Sequence, residues 1–333
     1  MSGDPSLWDD AELFSGDPLN PDFTQVCPPI IIADLTAEQR EQRLNRLVEQ
    51  AHYIVDKAWE LAEGRMSAGW CVLYSGGNDS TILAHMMRHR ADYAVHANTT
   101  IGIEQTRQFV RDTCAGWGLE LLERTAPQSY RDLVLERGFP GPAMHFKMFQ
   151  RLKERALDEV RRDLITNPRT QRILFIAGRR RNESRRRANI PLMETDGSAI
   201  WASPIAMWTK EDMGMYRAMA ARDGDPVPFN AVADAIGMSG ECLCGAFAQE
   251  GELERIRLWY PDTAAEIDQL EADVRAAGHQ EPFCRWGHGK GKPTEKAGKL
   301  CTSCDINQTA LFEPNQPDNA PTENRSNNVR KTA

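Results

Sequence analysis

Short apolar runs bounded by turn residues predict β-strands over residues 70–74, 92–98, 119–123 and 172–178. Between these runs apolar positions recur at helical spacing. Leu44, Leu47, Ala51, Ile54, Ala58 and Leu61 draw one stripe along a helix predicted over 36–64, which packs on the sheet or on the partner subunit of a homodimer. Ile82, Leu83 and Met86 mark a second helix, residues 104–117 a third, and the charged stretch 144–165 a fourth. Strands alternating with helices predict an α/β fold with a doubly wound parallel sheet. Residues 1–34, rich in Asp, Pro and Gly, read as an irregular arm. Residues 250–277 form an acidic amphipathic region, and residues 313–333, almost without apolar periodicity, read as a disordered tail. The expected organisation is therefore an arm (1–34), an α/β domain (35–240), a cysteine-bearing region (241–312) and a tail (313–333).

Composition narrows this picture. A 333-residue chain with 41% hydrophobic residues has enough material for a substantial core. No apolar run approaches the roughly 18 residues that a spanning helix needs. The acidic start Met1-Ser-Gly-Asp-Pro lacks the basic-then-apolar order of a signal peptide, so a cytoplasmic, non-membrane protein is expected. A net charge of −8 argues against a general nucleic-acid coat and leaves room for a local basic site. Eight cysteines in a reducing compartment point to metal or redox chemistry rather than to disulfides.

The most informative stretch is Ser75-Gly76-Gly77-Asn78-Asp79-Ser80, between the first predicted strand and the second helix. Two glycines open backbone conformations closed to other residues, and Asp79, Ser80 and Thr81 supply helix-start chemistry. Strand, glycine turn and helix start make a cradle of N–H groups at a positive dipole end, an anion site. The lysine of a Walker loop and the third glycine of a dinucleotide fingerprint are both missing. The stretch resembles the Ser-Gly-Gly-X-Asp-Ser pyrophosphate loop (PP-loop) of the ATP pyrophosphatases, enzymes that split ATP between its α- and β-phosphates.

Further segments stand where ligands of such sheets bind. The turn 98–106 follows the second strand. After the fourth strand, Gly178, Arg180, Glu183, Ser184 and Arg187 stand at Gly-x-Arg-x-x-Glu-Ser-x-x-Arg spacing, in which arginine forks suit phosphate or sulfate oxygens and Glu183 steadies one fork. Pro204-Ile205, Trp208, Asp212 and Tyr216 follow; by themselves they read as a helix capped by Ser203 or Thr209 with core aromatics. Together with the loop, these segments resemble the phosphoadenosine phosphosulfate (PAPS) reductase family over about residues 68–245. That resemblance implies an adenine nucleotide α-hydrolase-like, Rossmann-like domain. It also implies ATP as cofactor, Ser75, Gly76, Gly77, Asn78 and Ser80 around its phosphates, and Mg²⁺ on Asp79. Arg180 and Arg187 would neutralise charge on the transferred phosphorus, with Gly178, Glu183 and Ser184 around them. The chain departs from adenylyl sulfate reductases in lacking their terminal Glu-Cys-Gly-x-His segment and in keeping the whole loop. It is closer in character to the DNA phosphorothioation sulfurtransferases, which implies a sulfur donor protein or a thiol reductant as partner. The arginines at 179–187 and the basic residues Lys147, Arg151, Lys153, Arg155, Arg161 and Arg162 make a nucleic-acid acceptor an expectation as well.

The cysteines divide into two groups. Cys27, Cys71 and Cys114 are isolated and read as small apolar fillers. Cys242, Cys244, Cys284, Cys301 and Cys304 cluster toward the C-terminus, where Cys-x-x-Cys with a distant pair supports either a [4Fe–4S] cluster or a Zn²⁺ site. Four ligands would leave one, Cys242 or Cys284, as a sulfur carrier. His288 is a lesser ligand candidate.

Overall fold

The computed structural model describes residues 14–183 and 187–291. Residues 1–13, Ser184, Cys301, Cys304 and the expected tail lie outside the described residues.

Six strands form one sheet: β1 (Met66–Leu73), β2 (Tyr93–Asn98), β3 (Glu120–Thr125), β4 (Gln171–Ile176), β5 (Met193–Asp196) and β6 (Ala199–Ala202), in the order β3-β2-β1-β4-β6-β5. All neighbouring pairs are parallel except β5 with β6. The four strands expected from sequence are present, and the parallel sheet gains an antiparallel edge. The Asp196-Gly197 turn, with Gly197 at φ +60°, joins β5 to β6 as a hairpin.

Alternation along the central strands explains why they read as continuous apolar runs. Val72, Tyr74, Leu174, Ile176, Ile200 and Ala202 enter a core shared with helices α2 (Ala37–Glu60), α3 (Asn78–Met87), α4 (Glu104–Trp117) and α8 (Lys210–Arg222). Their neighbours Cys71, Leu73, Ile173, Phe175, Ala199 and Trp201 face the other way, onto Leu157 and Val160 of α7 (Arg155–Leu164). A sheet buried on both faces needs apolar side chains at every position.

Local signals place the helix ends. Thr36 opens α2 through a capping box with Gln39, Ser129 opens α5 (Tyr130–Arg137) with Asp132, and Thr209 opens α8 with Asp212. The charged helix expected over 144–165 is interrupted: α6 (His145–Phe149) passes through a π turn (Gln150–Glu154) before α7. Before α1 (Pro29–Ala33) the arm is irregular, yet it is tied down, since Arg43 donates to the Pro18 carbonyl at 2.8 Å.

After a short α9 (Ala231–Ile236), α10 (Glu252–Trp259) and α11 (Pro261–Ala276) pack with α5 around a second apolar cluster containing Tyr130, Leu133, Leu243, Ile256, Ile267 and Trp286. Among the described residues no helix is long and apolar enough to cross a membrane.

Candidate phosphate site and cysteine segment

In the sheet order, β1 lies between β2 and β4, so connections leave it in both directions. The crevice at such a switch point lies outside the carboxyl ends of the strands, where the Ser75–Ser80 loop falls. Gly76 sits at φ +77°, and a Cβ there would lie 2.9 Å from Thr106 Cγ2 and 3.0 Å from Val110 Cγ2, so the position excludes any side chain. Gly77 is the N-cap of α3. Ser80 Oγ donates to the Gly77 carbonyl at 2.9 Å and lies 3.1 Å from Ser75 Oγ, while Thr81 Oγ1 donates to the same carbonyl at 2.8 Å. These hydroxyls shape the loop from within.

Among the described residues no side chain caps the start of α3, whereas α2, α5 and α8 are all capped. Its first N–H groups, with the positive end of the helix dipole, are open to an anion. Arg180 comes to the same place from the segment after β4. It is 3% exposed, and its Nε donates to Asp79 Oδ2 at 2.7 Å. Its Nη1 is buried with no hydrogen-bond partner among the described residues. A buried guanidinium N–H without an acceptor is costly unless an anion completes it. Gly178 lets the segment approach, since a Cβ there would rest 3.5 Å from the Asp79 backbone.

The arginine run separates by role. Arg179 is a strut that donates to Ser203 Oγ at 2.9 and 2.6 Å and to Glu194 at 3.1 Å. Arg181 holds the carbonyls of Ile190 and Phe23. Arg187 is buried and ion-paired with Glu183, as the spacing suggested. Of the described members of the run, Arg180 is the one bonded to the loop helix. In the basic stretch 147–162, Arg161 pairs with Asp158 and Arg162 with Glu159.

Sequence reasoning missed Asn230 and Arg217 here and had Thr106 only as the end of the 98–106 turn. Asn230, 3% exposed, donates from Nδ2 to the Gly76 carbonyl at 2.8 Å, and Thr106 Oγ1 donates to the Ser239 carbonyl at 2.7 Å. Arg217 reaches Asn78 Oδ1 at 3.3 Å from α8. Asn230 carried one legible signal, an N-cap residue before the apolar positions of α9. Arg217 carried none.

The Pro-Trp-Asp-Tyr segment is structural. Asp212 caps α8 and takes a two-pronged bond from Arg43, at 2.7 and 3.0 Å, with both side chains fully buried. Trp208 and Tyr216 are core aromatics.

Cys27, Cys71 and Cys114 are apolar fillers in the structure too: burial pushes the Cys27 thiol up to about 11 and Cys114 up to about 12, and raises Cys71 further. Cys244 and Cys284 share the second apolar cluster, with half-buried Cys242 packed at its margin. Trp286 Nε1 donates to the Leu243 carbonyl at 2.7 Å, which lays the Cys284 segment on the Cys242–Cys244 segment. Among the described residues no three Cys, His, Asp or Glu side chains form a group able to hold a metal ion. Both ring nitrogens of His288 are engaged, one by the Phe139 carbonyl and one by the Lys290 amide, which removes it as a ligand candidate. The described cysteines by themselves do not make a metal centre.

The fold is a mostly parallel Rossmann-like sheet with a glycine loop at its switch point, where ligands of such sheets bind. Residues 69–223 match the family model of the phosphoadenosine phosphosulfate reductase domain. No curated protein sequence matches the chain. Among solved structures it is similar to phosphoadenylyl-sulfate (PAPS) reductase from Candida auris, at 16% identity over 60% of this chain and 92% of that one, with a TM-score of 0.38. It is also similar to FMN adenylyltransferase from Candida glabrata (13% identity, 63% of this chain, 66% of that one, TM-score 0.38). A third is the U34-tRNA thiolase NcsA from Methanococcus maripaludis with its [4Fe-4S] cluster (12% identity, 82% of this chain, 90% of that one, TM-score 0.35).

Proposed function

We propose that this chain is an ATP pyrophosphatase that adenylates an acceptor for sulfur transfer. The observation that carries the reading is the uncapped start of α3 facing the buried, incompletely bonded Arg180. The N–H groups of the loop hold the leaving pyrophosphate, and Arg180 and Arg187 offset charge developing at the α-phosphorus. An acceptor oxygen attacks that phosphorus, the bond to the bridging oxygen of the β-phosphate breaks, and pyrophosphate leaves. A sulfur nucleophile then bonds to the acceptor atom that carried this oxygen, carbon in a base or phosphorus in a backbone, as the bond from that atom to the adenylate oxygen breaks and AMP departs. Asp79 has one oxygen on Arg180 and its side chain is 24% exposed, which fits a single-carboxylate Mg²⁺ site shared with phosphates. When bound, Mg²⁺ supplies charge neutralisation at the phosphates.

Wild-type protein with MgATP, a sulfide source and DNA or RNA should release AMP and pyrophosphate and place labelled sulfur in the polymer. Release of ADP and phosphate would sink the reading. Sulfite formed from adenylyl sulfate with no ATP consumed would make the chain a reductase.

The cysteine region is proposed to hold a [4Fe–4S] cluster, with Cys301 and Cys304 completing a set drawn from Cys242, Cys244 and Cys284. No reaction step is assigned to it. Anaerobically purified protein should be brown and contain iron and acid-labile sulfide in equal amounts. Stoichiometric zinc without iron would make this region a structural ribbon.

A further inference from the structure

The cysteine segment is strapped to the phosphate-loop edge of the sheet by a buried ion pair that the proposed chemistry does not use. His96, near the end of β2, has no exposed surface. Its Nδ1 faces the Tyr74 carbonyl at 2.8 Å and its Nε2 faces Glu241 Oε2 at 3.1 Å. Both ring nitrogens thus meet acceptors, and only the imidazolium can donate to both. Burial disfavours that charge, but the hydrogen bond and the charge of Glu241 outweigh it and hold the His96 pKa above its ordinary value.

Glu241 is 1% exposed. Its Oε1 accepts from the Thr99 amide at 2.8 Å, and Arg107 Nε lies 3.7 Å from Oε2, so two cations face one carboxylate. The Thr99 hydroxyl donates to the Glu241 carbonyl. On either side, the Ile103 amide donates to the Gly240 carbonyl and the Leu243 amide to the Ile101 carbonyl, each at 2.8 Å. Ser239 then touches the loop itself, because a Cβ on Gly77 would lie 3.1 Å from Ser239 Cβ. The residue after Glu241 is Cys242, and Cys244 follows two further on.

We propose that His96 and Glu241 are positioning residues that seat the Cys242–Cys244 segment beside the phosphate loop, so that the chain serves the sulfur step with its own cysteines. The inference rests on the sulfur-transfer reading. A segment delivered by a partner or by a distant tail would not need a buried ion pair, two backbone–backbone bonds and the bonds of Thr99 to anchor residues 239–243.

The test uses full-length His96→Gln, Glu241→Gln and the double variant. Each single change should leave the KM for ATP in pyrophosphate exchange within about twofold and lower kcat for sulfur transfer by about tenfold or more, the loss expected for a hydrogen bond to a charged group. In the same variants Cys242 should alkylate about tenfold faster. The double variant, whose two amides can bond each other, should recover part of both effects. Unchanged transfer and alkylation, or a KM for ATP rising in step with the loss of transfer, would overturn the proposal. If the chain proves not to cleave ATP, the functional reading fails while the alkylation comparison still decides the strap. If the variants do not fold, hydrogen exchange of the wild type decides: the amides of Thr99, Ile103 and Leu243, which donate the bonds between the two segments, should exchange as slowly as those of β2, and fast exchange there would refute the seating.

Discussion

Asp79→Ala should abolish Mg²⁺-dependent release of AMP and pyrophosphate, with a loss of about a hundred- to a thousandfold in kcat/KM. Two effects combine. The carboxylate is the one acidic side chain in the first turn of the loop helix, so under the proposed function its removal would leave the phosphates without a protein ligand for their metal. It also removes the acceptor of Arg180 Nε, whose Nη1 already lacks a partner among the described residues, so the guanidinium loses its aim at the bound nucleotide. Asp79→Asn separates the two. The amide oxygen can still accept from Arg180 and keep the fold, while the charge that attracts the metal is gone. Both variants should be inactive in a steady-state pyrophosphate assay, with Asp79→Asn melting close to wild type. Full activity in Asp79→Asn would remove Asp79 from the metal role.

Asp212→Ala should produce the largest loss of stability of any single change considered, about 3–5 kcal/mol, because it leaves Arg43 charged and unpaired in a site with no exposure. The two residues stand 169 positions apart, and the bond fastens α2 to α8 across the edge of the core. Asp212 also accepts from the Thr209 amide at 2.9 Å, so the same mutation unties the N-terminus of α8. Urea denaturation should show a lower midpoint at unchanged slope. Replacing both partners together, Arg43→Met with Asp212→Leu, should recover much of the loss, since no buried charge is then left alone. Activity per folded molecule should survive in both variants, because neither side chain reaches the phosphate loop. A loss for Asp212→Ala below about 1 kcal/mol would mean that the pair behaves like an exposed one.

The resemblance singled out Pro204, Trp208, Asp212 and Tyr216 as family features, and the structure makes them supports of the core. The arginine run shows the same limit. Four arginines of one stretch look alike in sequence, but burial and partners make Arg179 and Arg181 struts, leave Arg187 paired to Glu183 and put Arg180 alone among them against Asp79.

What the chain determined by itself were the elements whose causes are local. Glycines at 76 and 77, the β-branched and apolar runs of β1, β2, β3 and β4, and the capping signals at Thr36 and Thr209 act over a few residues, and each produced the strand, turn or helix expected of it. The Met193–Ala202 hairpin was not expected from the sequence, because four-residue strands are too short to show a period. Tertiary structure alone decided which charges are buried and what meets them. Glu241 reads as one acidic residue among many until the fold sets it against His96 and Thr99, which lie more than 140 positions away. Asn230 and Arg217 likewise reach the loop only because α8 and the segment after it fold back over the carboxyl ends of the strands. Local sequence sets backbone geometry through short-range sterics and hydrogen bonds, whereas a buried ion pair depends on desolvation, which exists only once distant segments have packed.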